Sequence, residues 1–247
     1  MKADPSAQQQ LLAVQELDAR ADQLRHQRTT LPENIRLGEL ETGRGDLDDR
    51  LRDARIVVDD LTVEQKKADA DVEQVKARRT RDRDRMDQGL ISSHKDLERM
   101  QHELESLERR INSLEDAELE IMEQLEEAQR TADSLTAQVQ QTDDQIAELA
   151  AIRDARWAEI DGTLGEVEAA RHPAVEGLPE DLLALYERIR AQKGGVGAAP
   201  LRARQCGGCH MTIDAAELST IRATPADVVV RCEECQRILV RTPESGL

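Results

Sequence analysis

Apolar residues recur every three or four positions along much of the chain, the spacing that places side chains on one face of an α-helix. The longest such run extends over residues 97–167. Its members are Leu97, Met100, Leu104, Leu107, Ile111, Leu114, Ile121, Leu125, Ala128, Ala132, Leu135, Val139, Ile146, Leu149, Trp157, Ile160, Leu164 and Val167. A sustained repeat close to 3.5 residues is typical of a left-handed coiled coil. We therefore predict a long helix with a single apolar seam.

A second, less regular seam precedes it. It is formed by Leu47, Leu51, Ala54, Val58, Leu61, Ala68, Val72 and Val75. Pro32 and the Gly43/Gly45 pair predict local breaks or kinks, because both residue types weaken a helix interior. Between the two seams, Gly89 can end one helix and Ser92 or Ser93 can begin the next. Residues 1–172 are thus expected to form an antiparallel coiled-coil helical hairpin with its turn near residues 87–92, and Trp157 is expected opposite Ala21 and Leu24.

The pattern changes after Pro173. Residues 178–189 predict a short amphipathic helix with Pro179 near its first turn, and the β-branched runs at 228–230 and 238–240 predict strands. The glycines at 194–197 lack the Lys-Ser/Thr of a phosphate-binding loop and follow no predicted strand, so they indicate a connection and not a nucleotide site. The fold class is therefore mainly α, with a second domain at 173–247 that combines a short helix with a small β-containing module.

Four cysteines carry the strongest chemical signal. Cys206 and Cys209 form one Cys-x-x-Cys pair, Cys232 and Cys235 form another, and 22 residues separate the pairs. This is the spacing of a tetrahedral Zn²⁺ site built from two knuckles, a four-cysteine zinc ribbon. Four thiolates fill the coordination shell, so one structural zinc ion is expected. Disulfides are the alternative, and His210 is either a spare ligand or a neighbour of the centre. The glycines inside the first knuckle suggest positive φ angles.

Composition narrows the function classes. The 247 residues are 34% charged and include one Trp, one Tyr and no Phe, which argues against a large globular interior. No apolar leader or long apolar run is visible, so we expect a cytoplasmic protein without a membrane partner. The net charge of the chain is −17. Residues 193–247 hold seven basic and six acidic residues, a balance of +1, so residues 1–192 carry a net charge of −18. Such an acidic surface repels nucleic acid over most of its length.

One short segment is an exception to this acidity. Residues 76–85 contain six basic and two acidic residues. With Lys95 across the turn, the candidate basic tip comprises Lys76, Arg78, Arg79, Arg81, Arg83, Arg85 and Lys95. It could contact RNA or DNA phosphates or an acidic protein surface. The alternative is a solvated helix with Arg–Asp pairs three or four positions apart. Without Phe or Tyr, nucleic-acid contact would be to the backbone and independent of base sequence.

Several motifs together resemble a known family. A long hairpin is followed by Leu182-x-x-x-Tyr186-x-x-x-Arg190, residues 193–196, residues 206–211 and residues 230–239. With these motifs the chain resembles the bacterial C4-type zinc-ribbon coiled-coil family, in an actinobacterial form. The resemblance implies a binding protein. Relatives in that family include adaptor or chaperone-like proteins for an alternative sigma factor, flagellar or secretion-associated partners, and a class implicated in mRNA binding. Gln236 stands where family members commonly have Gly.

We expect no enzyme, no catalytic residues, no small-molecule substrate and no organic cofactor. The carboxylates lie on helix faces, where no deep cleft can shift their pKa values, and the only cysteines are assigned to metal binding and not to catalysis. The leading hypothesis is an adaptor that binds protein partners, a sigma factor or another regulatory or assembly protein by the family resemblance. The alternative is a nucleic-acid-binding protein that uses the basic tip. A third hypothesis, with weaker support, is an RNA-polymerase secondary-channel regulator with tip acids at Asp82, Asp84 and Asp87.

Overall fold

The computed structural model describes all 247 residues. Its elements are α1 (Pro5–Thr29), α2 (Pro32–Asp87), α3 (His94–Val175), α4 (Glu180–Gln192), β1 (Ala198–Arg202), β2 (Gln205–Cys206), α5 (Ala215–Ala223), β3 (Val230–Arg231) and β4 (Ile238–Arg241). The chain divides into two compact units, one of Met1–Ile35 with Ala150–Leu247 and one of Arg36–Leu149. No helix is both long and apolar enough to cross a membrane.

The unit Arg36–Leu149 is a helical hairpin made from α2 and α3. Gly89 adopts a φ of +65° just beyond α2, and the Ser93 carbonyl accepts the amide hydrogen bonds of Asp96 and Leu97 at the start of α3. The two predicted seams meet in a cluster in which Leu51, Ala132 and Leu135 are buried, with Leu47, Ala54, Val58 and Val139 packed beside them. The predicted fold class, a long helical hairpin with a small four-cysteine β module, is confirmed.

The helix breaks fall only partly where they were predicted. α1 ends at Thr29, and Pro32 is the first residue of α2, where its missing N–H costs nothing. A break at Gly43 and Gly45, one of the two outcomes predicted there, is absent, because α2 continues through both residues. Each glycine costs a helix only about 1 kcal/mol relative to alanine. Arg44, between them, bonds Asp48 one turn along and Asp143 on α3, with its Nε 2.7 Å from Asp143 Oδ1.

The other unit shows why α1 does not belong to a simple hairpin arm. α1 packs on α4 and on the sheet in one core of Ala3, Ala7, Leu11, Val14, Leu178, Leu182, Tyr186, Ile189, Ala198, Ile238 and Val240. One compact unit therefore joins α1 to α4 and to the sheet, and the predicted division into domains after residue 172 stays a prediction. The apolar face of α1 is covered by α4 and by the strands, which follow α1 by about 150 residues or more.

The sheet has the strand order β2-β1-β4-β3. β1 runs parallel to β4, whereas the β1–β2 and β3–β4 pairs are antiparallel. β3 and β4 overlap the two predicted strands. β1 was not predicted, because its sequence Ala-Ala-Pro-Leu-Arg lacks the β-branched residues that mark a strand.

Trp157 lies in the same unit as α1, against a cluster formed by Leu24, Leu31 and Ile160. Its indole Nε1 donates a hydrogen bond to the Arg28 carbonyl at 3.1 Å, about one turn beyond the predicted partner Leu24. The ring contacts two guanidinium groups, those of Arg28 and Arg153, at 4.4 and 4.5 Å from its centroid. These are cation–π contacts. They were not predicted, whereas Leu24, one of the two residues expected opposite Trp157, does lie in the cluster that the ring packs against.

Candidate metal centre

The two Cys-x-x-Cys segments adopt the same backbone turn. In the first knuckle, the amide of His210 donates to the Cys206 carbonyl at 2.8 Å, and the Cys206 amide donates to Met211. In the second, Gln236 donates to the Cys232 carbonyl at 2.9 Å, and the Cys232 amide donates to Arg237. The repetition places two thiols on each turn, all facing one point.

The four sulfur atoms lie within 4.8 Å of one another. Cys206 Sγ is 3.8 Å from Cys235 Sγ, and Cys209 Sγ is 3.9 Å from Cys232 Sγ. A tetrahedral zinc ion with Zn–S bonds of about 2.3 Å separates its sulfur ligands by about 3.8 Å. The donor set therefore fits one Zn²⁺ ion. Because four thiolates leave no coordination position for water or substrate, this is a structural site.

The thiols differ in acidity. Burial raises the pKa of Cys206, and it raises the pKa of Cys232 to about 12. Burial also opposes ionisation of Cys235, but hydrogen bonds from Arg237 and from neighbouring thiols lower its pKa to about 7. Zinc binds thiolates, so the ion must displace the protons of the more basic thiols, and its affinity depends on pH.

The knuckle glycines are required for a reason that the sequence did not indicate. Gly207 and Gly208 do not adopt positive φ; His210 and Gln236, which follow the second cysteine of each knuckle, do so at +59° and +63°. A Cβ on Gly207 would lie 2.9 Å from Pro200 Cδ, and one on Gly208 would lie 2.7 Å from Arg237 Cδ. Their role is close packing. The His210 side chain is exposed and is not among the clustered metal-ligand side chains.

Arg237 anchors the second knuckle to the segment that precedes β1. Its Nε donates to the Val196 carbonyl at 3.0 Å, and its Nη2 donates to the Lys193 carbonyl at 2.8 Å. Gln15 on α1 holds the same segment, donating to the Gly195 carbonyl at 3.0 Å and accepting from the Gly197 amide at 2.7 Å. The motif at residues 193–196 is therefore a supporting element of the zinc module.

A buried carboxylate on α1 is the site residue that sequence reasoning missed. Asp18 is only 4% exposed. It accepts hydrogen bonds from Tyr186 Oη and from Arg171 Nε, both at 2.6 Å, and lies 3.6 Å from Arg190 Nε. Burial and the bond to Asp18 raise the pKa of Tyr186 well above its usual range. The i, i+4 spacing of Tyr186 and Arg190 was visible, but nothing near Asp18 in the sequence marked it as their partner.

The basic tip separates into two sets of residues. Lys76, Arg78 and Arg79 form ion pairs with Glu115, Glu103 and Glu108 on α3, at 2.8, 2.6 and 2.8 Å. The bond to Glu115 is the main cause that raises the pKa of Lys76. In contrast, the exposed side chains that form no ion pair are Arg81, Arg83, Arg85 and Lys95.

Within residues 76–85, the predicted Arg–Asp pairing along the helix is present in one contact, from Arg78 to Asp82 at 3.7 Å. Asp82 is half-buried, whereas Asp84 and Asp87 face solvent. The three acids that the secondary-channel hypothesis requires are therefore not equally accessible.

A helical hairpin joined to a four-thiolate zinc module defines a class of zinc-ribbon coiled-coil proteins. Residues 14–194 match the CT398-like coiled-coil hairpin domain, and residues 205–239 match the C4-type zinc ribbon domain. The chain belongs to the CT398-like coiled-coil hairpin family.

Relatives and solved structures agree with this assignment. The chain is 37% identical to the uncharacterised protein Rv2229c of Mycobacterium tuberculosis, over 98% of both proteins. It is also 37% identical to a solved Mycobacterium smegmatis protein, with a TM-score of 0.86 over 98% of this chain and 100% of that one. The structure of CT398 from Chlamydia trachomatis has a TM-score of 0.73 at 18% identity, over 96% of this chain and 98% of that one, which is a likeness of fold.

Proposed function

We propose that the chain is a non-enzymatic, zinc-stabilised adaptor that binds partner proteins through the faces of its coiled coil. The observation that carries this proposal is the retention of large apolar side chains on water-exposed helix faces of the unit Arg36–Leu149. Val57, Leu119 and Met122 are 49%, 57% and 43% exposed. Val57 lines one open groove of the hairpin, and Leu119 and Met122 line another. Apolar side chains grouped in this way on a highly charged surface are typical of protein-binding sites.

The closed metal centre supports a non-enzymatic role. Its four thiolates complete the coordination of zinc, which leaves the metal no position at which to polarise a substrate or activate water. We place the adaptor in the cytoplasm, where reducing conditions keep thiolates available for zinc. The class of partner, a sigma factor or another regulatory or assembly protein, follows from the family resemblance.

The test is a cross-linked pull-down from host extract, with and without nuclease, followed by binding to the purified candidate. A protein partner that survives nuclease treatment and binds again in purified form is the expected result. If the chain captures only nucleic acid, or captures nothing that binds again, the adaptor proposal is wrong.

Nucleic-acid binding through the basic tip is the second candidate, and the unpaired side chains at Arg81, Arg83 and Arg85 favour it. Their charges are available to phosphate, unlike those of Arg78 and Arg79. Retention of RNA or DNA that falls with added salt and is lost in R81Q/R83Q/R85Q would support this function. A matched control is R50Q/R52Q/R55Q, which removes three exposed arginines of α2 outside the tip. Equal retention by all three proteins would exclude the tip.

A further inference from the structure

An open groove runs between α2 and α3 within the unit Arg36–Leu149. Its volume is about 370 Å³, and its lining comes from Ala54, Val57 and Leu61 on α2 and from Gln124, Ala128 and Thr131 on α3, with Glu127 beside them. Ala54 and Ala128, two of these lining residues, have small side chains that leave space between the helices. Val57, 49% exposed, forms an apolar edge of the groove.

The groove is bordered by carboxylates on both helices. On α2, Asp53, Asp60 and Glu64 lie three or four positions from Val57 or Leu61, so helix geometry places them on the same side. On α3, Glu120 and Glu127 lie four positions before and three positions after Gln124. All five are exposed and none forms an ion pair. Residues 111–129 contain seven acidic residues and no basic one.

We propose that this groove binds a cationic amphipathic helix of a partner protein. A helix lying along two antiparallel helices can insert residues spaced i, i+3 and i+4 into the apolar floor. Its Lys and Arg side chains would then meet the carboxylates on the two borders, which have no partners of their own. This inference rests on the proposed adaptor function and assigns to it a surface and a class of partner.

Charge disfavours two other occupants. A second copy that docked through the same face would bring the same acidic borders into contact, and like charges repel. The basic tip of a second copy cannot fill the floor, since residues 76–85 contain no Leu, Ile, Val, Met or aromatic residue. Nucleic acid is repelled by the same carboxylates. A partner that is both apolar and basic satisfies both features of the groove.

Fluorescence anisotropy of the full, zinc-loaded chain tests the proposal. The probe is a labelled amphipathic Leu/Lys peptide of about 18 residues, five turns of helix. Two control peptides are needed: one with Glu in place of Lys, and one with the same composition scrambled so that no apolar face forms. We expect saturable binding of the Leu/Lys peptide and at least about tenfold weaker binding of both controls.

Matched variants distinguish peptide binding in the groove from nonspecific attraction of the peptide to an acidic protein. V57N removes the apolar edge, and V63N makes the same change at an exposed α2 position that does not line the groove. D60N/E64Q/E120Q removes border charges, and E41Q/D46N/E148Q removes three exposed, unpaired charges elsewhere in the same unit. The groove variants should weaken binding by about tenfold or more, whereas the controls should stay within about twofold. Circular dichroism checks that each variant keeps its helicity.

Equal effects of V57N and V63N, or equal binding of all three peptides, would overturn the groove proposal. So would a dimer in sedimentation that V57N dissociates, because the occupant would then be a second copy. A protein partner that is captured equally by wild type and V57N would leave the adaptor function standing and refute only the groove. Loss of all partner capture in wild type would instead refute the adaptor function.

Discussion

The hydroxyl of Tyr186 donates a hydrogen bond of 2.6 Å to the buried carboxylate of Asp18, 168 positions earlier in the chain. The bond joins α4 to α1 beside the core that both helices share with the sheet. Arg171 brings α3 to the same carboxylate. One polar group on α1 thus connects three helices that support the zinc module.

Tyr186→Phe should lower the stability of the unit Met1–Ile35 with Ala150–Leu247. The substitution leaves Asp18 charged and buried with one donor fewer, which costs about 1.5–3 kcal/mol for a charged acceptor. Urea unfolding followed by the fluorescence of Trp157 measures this directly, because the only tryptophan lies in the same unit. A change below about 0.5 kcal/mol would mean that Arg171 and Arg190 satisfy the carboxylate without the hydroxyl.

Loss of zinc should unfold part of the chain and spare the rest. We expect about one bound zinc per chain in wild type and nearly none in C206S or C232S, because each cysteine supplies one of four ligands. The strands β1 and β4 pack on α1 and α4, so amide exchange should accelerate across that unit. The unit Arg36–Leu149 contains no cysteine, and its exchange should stay slow.

Zinc content by colorimetric release and amide hydrogen exchange with and without chelator provide the measurement. An H210A variant, which alters an exposed neighbour outside the thiol cluster, is the control and should retain full zinc. Loss of most helicity on chelation would contradict the prediction, since it would show that the hairpin depends on the metal.

Gln236→Gly should stabilise the second knuckle. Gln236 has a φ of +63°, a left-handed conformation that costs an L-residue about 1–2 kcal/mol and a glycine almost nothing. The greater entropy of glycine in the unfolded chain offsets part of this gain, which leaves roughly 0.5–1 kcal/mol. Thermal unfolding of the zinc-loaded chain measures the change. Q236A and Q236G both lose the bond from Gln236 Nε2 to the Glu233 carbonyl, but Q236A keeps the strained backbone, so Q236G should be the more stable of the two; equal stability of both variants would refute the explanation.

Relief of backbone strain should also stabilise the turn between β1 and β2. Ala203 and Arg204 both have positive φ, at 45° and 63°, in a two-residue hairpin that favours Asn-Gly. A203N/R204G should therefore raise the midpoint of thermal unfolding by a few degrees, equivalent to about 1 kcal/mol. A203V is the opposing control, because a β-branched residue suits positive φ least and should lower the midpoint. A lower midpoint in the Asn-Gly variant would show that the Arg204 side chain contributes more than its backbone strain costs.

Local sequence patterns were enough to predict the long helices and the metal centre. The 3.5-residue repeat predicted α3 almost entirely, since one apolar stripe of that period is compatible with little else. The paired cysteines predicted the zinc site, because two residues between cysteines suffice to direct both sulfurs at one ion. β1 could not be predicted, because its two alanines and its proline belong to a strand only through their pairing with Ile238, Leu239 and Val240.

The coiled-coil hairpin and the four-thiolate zinc module could be predicted from the amino-acid sequence, because helix periodicity and ligand spacing act over a few residues. Which distant residues contact one another depends on the tertiary structure. The tertiary structure brings Asp18 into hydrogen-bond contact with Tyr186 and places α1 in the unit that contains the zinc ribbon. It also pairs Lys76, Arg78 and Arg79 with glutamates, whereas Arg81, Arg83 and Arg85 form no ion pair. These contacts depend on which helix faces pack together in the folded chain, and the packing of helix faces cannot be predicted from any short stretch of sequence.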